Sequence, residues 1–331
     1  MLVTRTPLRV SLFGGGTDLP SYFQLHSGGV VSFAISKYIY ISINELSESD
    51  DILIKYSKLE RVQKVEEIQH KIIRAILKRF NVKGVDIAIT SDIPAGTGLG
   101  SSSAFTVGML KTITEFKGIE LSKSELASLA CEIELKDLGE PIGKQDQYAS
   151  AFGGLNNFVF NQDNSVEIGL LRNPEQLKNI VAKNSLMIRV GDVRKASSLL
   201  KKQNDDTLSG INIESLNRID SLRKDFLLLD GFTPTVVGNI LLDSWNAKKK
   251  LSPEISSNMI DEMLSSAQDS GAVGGKLLGA GGSGYLLLVF ESATKLKFFR
   301  ESLPSHAAHI SPVIDYDGSI VVYRSESNES N

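Results

Sequence analysis

Between Ile93 and Phe105 the chain reads IPAGTGLGSSSAF, with glycines at Gly96, Gly98 and Gly100 and hydroxyls at Ser101, Ser102 and Ser103. These residue types at this spacing suit an anion. Glycine lets backbone amides approach anionic oxygens closely and takes positive φ without strain. A helix begun at such a loop adds unpaired N–H groups and about half a positive charge. The serines can cap the helix, bind phosphate or hold a magnesium ion, while Pro94, Thr97 and Leu99 fill out the loop. A plain glycine turn with a serine cap is the bland alternative. Two familiar phosphate loops do not fit, since no lysine follows Gly100 and Ser101 stands where a dinucleotide fingerprint needs glycine.

Regular elements must hold this loop in place. Val85, Ile87 and Ile89 alternate as a strand leading into it, and Phe105, Met109, Leu110, Ile113 and Phe116 follow at helical spacing. Leu8 to Phe13 reads as a buried strand running into the turn GGGTD, and Val30 to Ile43 as a strand or bent strand pair. Val65 to Phe80 keeps helical spacing, and Ser122 with Glu125 forms a capping-box pattern ahead of another apolar helical face. FGGLNNFVF and SVEIGLL read as a hairpin. The polar stretch from Arg172 to Lys183 marks a boundary, which predicts domains over 1–182 and 183–331. Beyond it come a strand at Leu186 to Val190 and helices near 195–202, 213–229 and 253–270. A second glycine cluster, GAVGGKLLGAGGSG, leads into the strand YLLLVF, and a helix at 294–302 and a strand at 319–323 close the second domain. Strands and helices mixed in both halves predict an α+β fold.

Composition narrows the function. The chain has 331 residues, 41% hydrophobic and 23% charged, with net charge −3. That suits a globular chain and gives no basic face for nucleic acid. The lysines Lys248, Lys249 and Lys250 read as a solvated helix face. A single cysteine, Cys131, offers neither an internal disulfide nor a metal-ligand pair and fits a reducing cytoplasm. Arg5 and Arg9 interrupt any signal-peptide core, and YLLLVF is too short to span a bilayer, so a soluble protein without a membrane partner is expected.

The loop as Pro94-AGT-GLGSS resembles the second signature of the GHMP kinases. TRTPLRVSLFGGGTDLPSYF resembles the first and KLLGAGGSGYLLLVF the third, in the family's order and across nearly the whole chain. The resemblance implies the two-domain fold of that family, with a ribosomal-protein-like N-terminal domain and a ferredoxin-like C-terminal one. It also implies ATP and Mg2+ as cofactors. The loop from Pro94 to Ser103 then cradles the triphosphate, and Gly281 and Gly282 lie near it, with Ser283 standing where a glycine is common. Ser102 is the implied magnesium ligand, with Ser101 and Ser103 as near alternatives.

Glu134 is the candidate metal carboxylate. It follows Ala130 and Ala127 on a stripe of small residues, and the family places this carboxylate twelve residues before its aspartate; Glu132 is the fallback. PIGKQDQYASAFGG resembles the galactokinase segment carrying that aspartate, here Asp146, which takes the acceptor's proton or orients the hydroxyl. Arg9 resembles the arginine that lowers the aspartate's pKa and polarises the acceptor. Gly15, Gly16, Thr17 and Asp18 match the part of the first signature that meets substrate, with Asp18 accepting from sugar hydroxyls.

Where galactokinases read G-E-H-T-D, this chain reads GGGTD, as in the heptose and fucose branch. The strings VGDVRKASSLLKKQ and LLDSWNAKKKLSPEISSNMID also resemble heptose-phosphate 1-kinases. This implies phosphorylation of the anomeric hydroxyl of D-glycero-D-manno-heptose 7-phosphate. A substrate carrying its own dianion needs a basic anchor, and Arg194 and Lys195 after a strand suit it, although Asp192 beside them does not help. Fucose, galactose and aminosugar kinases are the near rivals. An idle sensor on the same fold has no use for Asp146, Glu134 and Ser102 together, and an RNA-binding module lacks basic charge and aromatic platforms. Trp245 and the Tyr38–Tyr40 strand are candidates for contact with the nucleotide base. A sugar phosphate and ATP are the expected partners, with a homodimer left open.

Overall fold

The computed structural model describes residues 1–191 and 197–325. The chain opens with the long strands β1 (Leu2–Gly14) and β2 (Gly28–Glu45), joined through α1 (Pro20–His26). A short hairpin, β3 (Ile52–Lys55) and β4 (Leu59–Val62), precedes α2 (Lys71–Arg79) and β5 (Val85–Ser91). Three helices follow, α3 (Ser101–Phe116), α4 (Lys123–Glu132) and α5 (Gln145–Phe152), and then the hairpin β6 (Leu155–Phe160) and β7 (Val166–Gly169). Next come α6 (Pro174–Asn184), β8 (Ser185–Val190), α7 (Ser197–Leu208), α8 (Ile213–Leu228), α9 (Pro234–Lys249) and α10 (Asn258–Asp269). The chain ends through β9 (Ala272–Leu277), β10 (Gly284–Phe290), α11 (Ala293–Ser302), β11 (His309–Ile310) and β12 (Ile320–Arg324).

Two sheets result. The first has eight strands in the order β12-β1-β2-β5-β3-β4, with β6 and β7 joining along the first half of β2. Only the β3–β5 pairing in it is parallel. Strand β2 is long enough to pair with β6 over Gly28–Phe33 and with β5 over Ile39–Glu45 on the same edge. The second sheet is antiparallel, β11-β8-β10-β9. Its core holds Leu186, Ile188, Leu286, Leu288 and Trp245, while Val10, Phe33, Ile41, Ile73 and Leu110 sit in the core of the first. No described helix is long and apolar enough to cross a membrane.

Several expectations need correction. Strand β12 pairs antiparallel with β1, so the segment expected as a C-terminal domain contributes a strand to the first sheet. The glycine cluster does not merely lead into a strand, because its first half is β9. Of the 16-residue helix α9 the sequence suggests only the lysine end, as a helix face at Lys248 to Lys250; the helix is capped by Thr233, which accepts from Val236, with Pro234 in its first turn. Both elements are weakly marked for one reason. A Cβ on Gly274 of β9 would lie 1.9 Å from the Gly238 carbonyl of α9, so helix and strand meet backbone to backbone through glycines that score poorly for either element. The expected helix at 253–270 is a short 3-10 turn at Pro253–Ile255 followed by α10. The capping box of α4 is present, with Ser122 Oγ accepting from Glu125 N at 3.2 Å and the Glu125 carboxylate from Ser122 N at 2.8 Å.

This glycine contact gives a test. Gly274→Ala is expected to lower stability by about 2–3 kcal/mol through overpacking, read as a drop in melting temperature. An unchanged melting temperature would show that α9 and β9 can separate without cost.

Candidate active site

Strand β1 carries Arg9 into the space between the loop before α3 and the first turn of α5. Arg9 is 4% exposed. Its Nε donates to Asp146 Oδ1 at 2.7 Å and its Nη2 to Oδ2 at 2.9 Å, a bidentate pair with fixed geometry. Its Nη1 donates to the Gly98 carbonyl at 2.7 Å, and its backbone N to that of Leu99 at 3.1 Å. One side chain therefore holds the loop and the carboxylate together. Asp146 stands in the first turn of α5, where the helix dipole favours a negative charge, and keeps 22% of its side chain exposed.

All three spaced glycines of the loop are left-handed, with φ of 76° at Gly96, 81° at Gly98 and 72° at Gly100. Space excludes side chains as well. A Cβ on Gly100 would stand 3.1 Å from Arg9 Cγ and 3.2 Å from Asp146 Oδ2, and one on Gly98 2.5 Å from the Leu278 carbonyl. The turn after β9 thus crosses the loop backbone on backbone, and Tyr285 N donates to the Thr97 carbonyl at 3.1 Å. Helix α3 starts at Ser101, so the amides of its first turn open onto the same cleft.

Glu134 lies in a single π-turn, Ile133–Asp137, that continues α4, a local widening often found at functional positions. It is 1% exposed yet lines the cleft. Burial is the main cause that pushes its pKa up to about 7, against hydrogen bonds from Gln147, Ser103 and Thr106 that favour the carboxylate. Gln147 Nε2 donates to it at 2.6 Å. A buried carboxylate short of positive charge, beside the Ser103 hydroxyl in a cleft that Ser102 also lines, fits a magnesium ion that takes its other ligands from water and phosphate. Glu134 and Ser102 would hold it. Among the described residues no three acidic, histidine or cysteine side chains cluster as a metal cage.

Asp18, 2% exposed, accepts from Gly16 N at 3.0 Å, Gln145 Nε2 at 3.1 Å and Gln145 N at 3.2 Å. Its pKa is raised by burial first and by the charge of Asp146 second. Gly143 packs so closely that a Cβ there would lie 1.8 Å from Asp18 Oδ2.

One cleft of about 700 Å3 gathers these groups. Arg9, Gly15, Gly16, Asp18, Glu134 and Asp146 line it, with Gly96, Gly98, Gly100 and the three serines on the loop side. Other expected residues do not face it. Thr17 Oγ1 clasps the Gly29 backbone, donating to its carbonyl at 3.0 Å and accepting from its amide at 3.2 Å. Leu99 is buried in the core, Thr97 Oγ1 donates to the Pro94 carbonyl, and Pro94 lies outside the lining. Gly281 and Gly282 pack on Ile255 and Glu254, while Gly279 and Ala280 reach the cleft instead. Trp245 is fully buried in the second core, and Tyr38 bonds Asp315 under Arg5, so neither the tryptophan nor the Tyr38–Tyr40 strand meets a base in this cleft. Arg194 and Lys195 lie outside the described residues.

Lysines were missed. Lys248 is not on a solvated face, since its Nζ donates to the Gly279 carbonyl and lines the cleft. Lys276, 4% exposed, donates to the Leu12 carbonyl at 2.9 Å and also lines it. A lysine inside the otherwise apolar and glycine-rich AVGGKL of a buried strand was the available signal. Gln145 and Gly143, both shaped around Asp18, lie in the PIGKQDQYASAFGG string singled out for Asp146, with no role expected for either.

A backbone anion cradle beside a fixed carboxylate suits transfer of a phosphoryl group from a polyphosphate to a hydroxyl, the chemistry of a kinase. Comparison with known proteins agrees. Residues 67–154 match the GHMP kinases N terminal domain. The chain is 30% identical over 316 residues to the D-glycero-alpha-D-manno-heptose 7-phosphate kinase of Campylobacter jejuni, covering 90% of this chain and 91% of that protein. It is 27% identical over 333 residues to the bifunctional fucokinase/GDP-fucose pyrophosphorylase of Arabidopsis thaliana, covering 91% of this chain and 31% of that one. The crystal structure of a D-glycero-D-manno-heptose 1-phosphate kinase from Bacteroides thetaiotaomicron has a TM-score of 0.77 and 25% identity, covering 98% of this chain and 100% of that one. The chain belongs to the GHMP kinases. It is an ATP-dependent phosphotransferase with an alcohol group as acceptor.

The raised pKa of Glu134 has a measurable consequence. A carboxyl whose folded-state pKa lies above its ordinary 4.5 contributes stability that is full below about 4.5 and lost as pH rises through about 7. The size is about 3 kcal/mol at about 1.36 kcal/mol per unit. Without nucleotide or metal, the melting temperature of the wild type should therefore fall by several degrees relative to Glu134→Gln between pH 5 and 8. Parallel curves for the two proteins would contradict a raised pKa at this position.

Proposed function

We propose that the protein transfers the γ-phosphoryl group of ATP to the anomeric hydroxyl of D-glycero-α-D-manno-heptose 7-phosphate, giving the 1,7-bisphosphate for nucleotide-activated heptose. The observation that carries the reading is Asp146, clamped by Arg9 at the mouth of the left-handed glycine loop. The GGGTD turn and a heptose 7-phosphate kinase that matches nearly end to end support the choice of sugar.

In this reading the loop and the first turn of α3 bind the triphosphate. Glu134 and Ser102 would hold a magnesium ion, which when bound would supply charge neutralisation for the phosphates. Arg9 aims the Asp146 carboxylate at the acceptor hydroxyl, where it orients the O–H and takes its proton as the new O–P bond forms. Asp18, fixed by Gln145 and Gly16, accepts from sugar hydroxyls and sets the sugar's orientation. Leu200 and Gln203 of α7 line the cleft, Gln203 against Gly16 of the GGGTD turn. Arg194 and Lys195 are the proposed anchor for the sugar's terminal phosphate. The single cysteine, Cys131, is buried, which fits a reducing cytoplasm.

A panel of heptose 7-phosphate, heptose 1-phosphate, unphosphorylated heptose, fucose and galactose with ATP and Mg2+ tests the substrate. Heptose 7-phosphate should give the highest kcat/KM, with phosphate appearing at C1. Faster turnover of galactose or fucose would overturn the assignment. Asp146→Asn should cost about 10²–10⁴-fold in kcat and leave ATP binding intact. Near wild-type turnover would remove Asp146 from its role. Arg194→Ala should weaken only substrates that carry the terminal phosphate, whereas equal losses with and without that phosphate would exclude it as the anchor.

A further inference from the structure

The charges in the cleft do not balance within the protein. Arg9 is paired with Asp146, and Lys71 at the rim with Glu140. Lys276 and Lys248, which enter from β9 and from the last turn of α9, have only backbone carbonyls as partners. Among the described residues no carboxylate lies within ion-pairing distance of either. Keeping an ammonium out of water without a counter-charge is costly, so a retained pair of this kind fits a place where an anion arrives.

Their placement says which anion. The Gly279 carbonyl that takes Lys248 belongs to the turn lying on Gly98, where a Cβ on Gly279 would meet Gly98 Cα at 2.5 Å. Lys276 reaches the carbonyl of Leu12, three residues along β1 from Arg9 and just before Gly14–Gly16. The two ammonium groups thus stand on the second-sheet side of the cleft, beside the turn seated on the glycine loop and close enough to Arg9 to feel its charge. We infer that Lys276, with Lys248 beside it, contacts the phosphoryl group as it passes from ATP to the acceptor. The inference rests on the kinase reading and extends it to Lys276, which opens the third signature, and to Lys248, neither of which has a role in that reading.

In the step itself, the acceptor oxygen bonds to the γ-phosphorus as the bond to the bridging oxygen breaks. ADP leaves with the electron pair, and the hydroxyl proton goes to Asp146. The lysines exchange neither proton nor electrons. They stabilise charge spread over the three equatorial oxygens. Burial lowers Lys248 to about 8 and Lys276 well below the ordinary lysine value, and a dianion beside them would restore the charged form.

A purely structural role is the competing account. The register of β1 against β2 shifts between Ser11 and Phe13, leaving the Leu12 carbonyl outside the ladder, and Lys276 satisfies it. Three variants separate the two accounts: Lys276→Met, Lys276→Gln, which can still donate to Leu12 without a charge, and Lys248→Met. Each is compared with active wild type for melting temperature, kcat, both KM values, and affinity for ADP alone and for ADP with aluminium fluoride, Mg2+ and sugar. Lys276→Gln, which keeps a donor for Leu12, should melt at or above the wild-type temperature, because a buried ammonium without a counter-charge is gone. Both Lys276 variants should lose about 100-fold in kcat, with sugar KM within about threefold. The aluminium fluoride complex should weaken by a similar factor while ADP alone does not, and Lys248→Met should shift the same readouts in the same direction.

Wild-type kcat in Lys276→Gln would overturn the inference in favour of the structural role. A loss seen only as a raised KM for phosphorylated sugar, absent with the unphosphorylated one, would overturn it in favour of a site for the acceptor's own phosphate. A wild type that transfers phosphate to no sugar would overturn the kinase reading and this inference with it.

Discussion

A buried guanidinium has to spend its donors inside the protein, and the whole site is arranged around how Arg9 does so. Its fork takes both oxygens of Asp146, 137 residues away in sequence, and the Gly98 carbonyl, 89 residues away. Removing such a charge pair from water costs several kcal/mol per ion before the pairing returns any of it. What the arrangement gains is position. The Asp146 carboxylate and the glycine loop cannot move independently, because one rigid plane joins them, and a side chain at Gly100, whose φ is 72°, would be strained and crowded against Arg9.

The second constraint is backbone crossing backbone. Gly98 lies on Leu278 and Gly279, and Gly284 lies on Thr97, so the turn of the second sheet is seated on the loop of the first. These contacts leave no room for a Cβ and make the cleft a product of both sheets. They also explain why the carboxylates are poised in it. Glu134 and Asp18 are both pushed up by burial. The ligand-free protein carries this imbalance as lost stability, the usual cost of a functional site.

Much of this was legible in the sequence, for local reasons. Spaced glycines announce left-handed backbone wherever they occur, and Gly96, Gly98 and Gly100 all adopt it. The capping box at Ser122 and the alternation of β5 are equally local signals. What was not legible depends on distant partners. Helix α9 and strand β9 are glycine-marked because they touch each other, which neither segment reveals alone. The return of β12 to β1 is set by the far end of the chain. Lys248 and Lys276 look like surface or strand lysines until the fold turns them into the cleft. Trp245 drew attention as an aromatic and proved to be core, since its size rather than its ring chemistry decides its place.

The central claim is that Arg9 holds the Asp146 carboxylate and the glycine loop as one unit, and Arg9→Lys tests it most directly, because lysine keeps the charge but cannot make the fork. Turnover and the Kd for a non-hydrolysable ATP analogue with Mg2+ should be measured on the same folded protein. The account predicts that both suffer, with kcat falling about 100-fold and nucleotide affinity about tenfold. A variant that loses turnover while binding nucleotide as the wild type does, or one that loses neither, would contradict it.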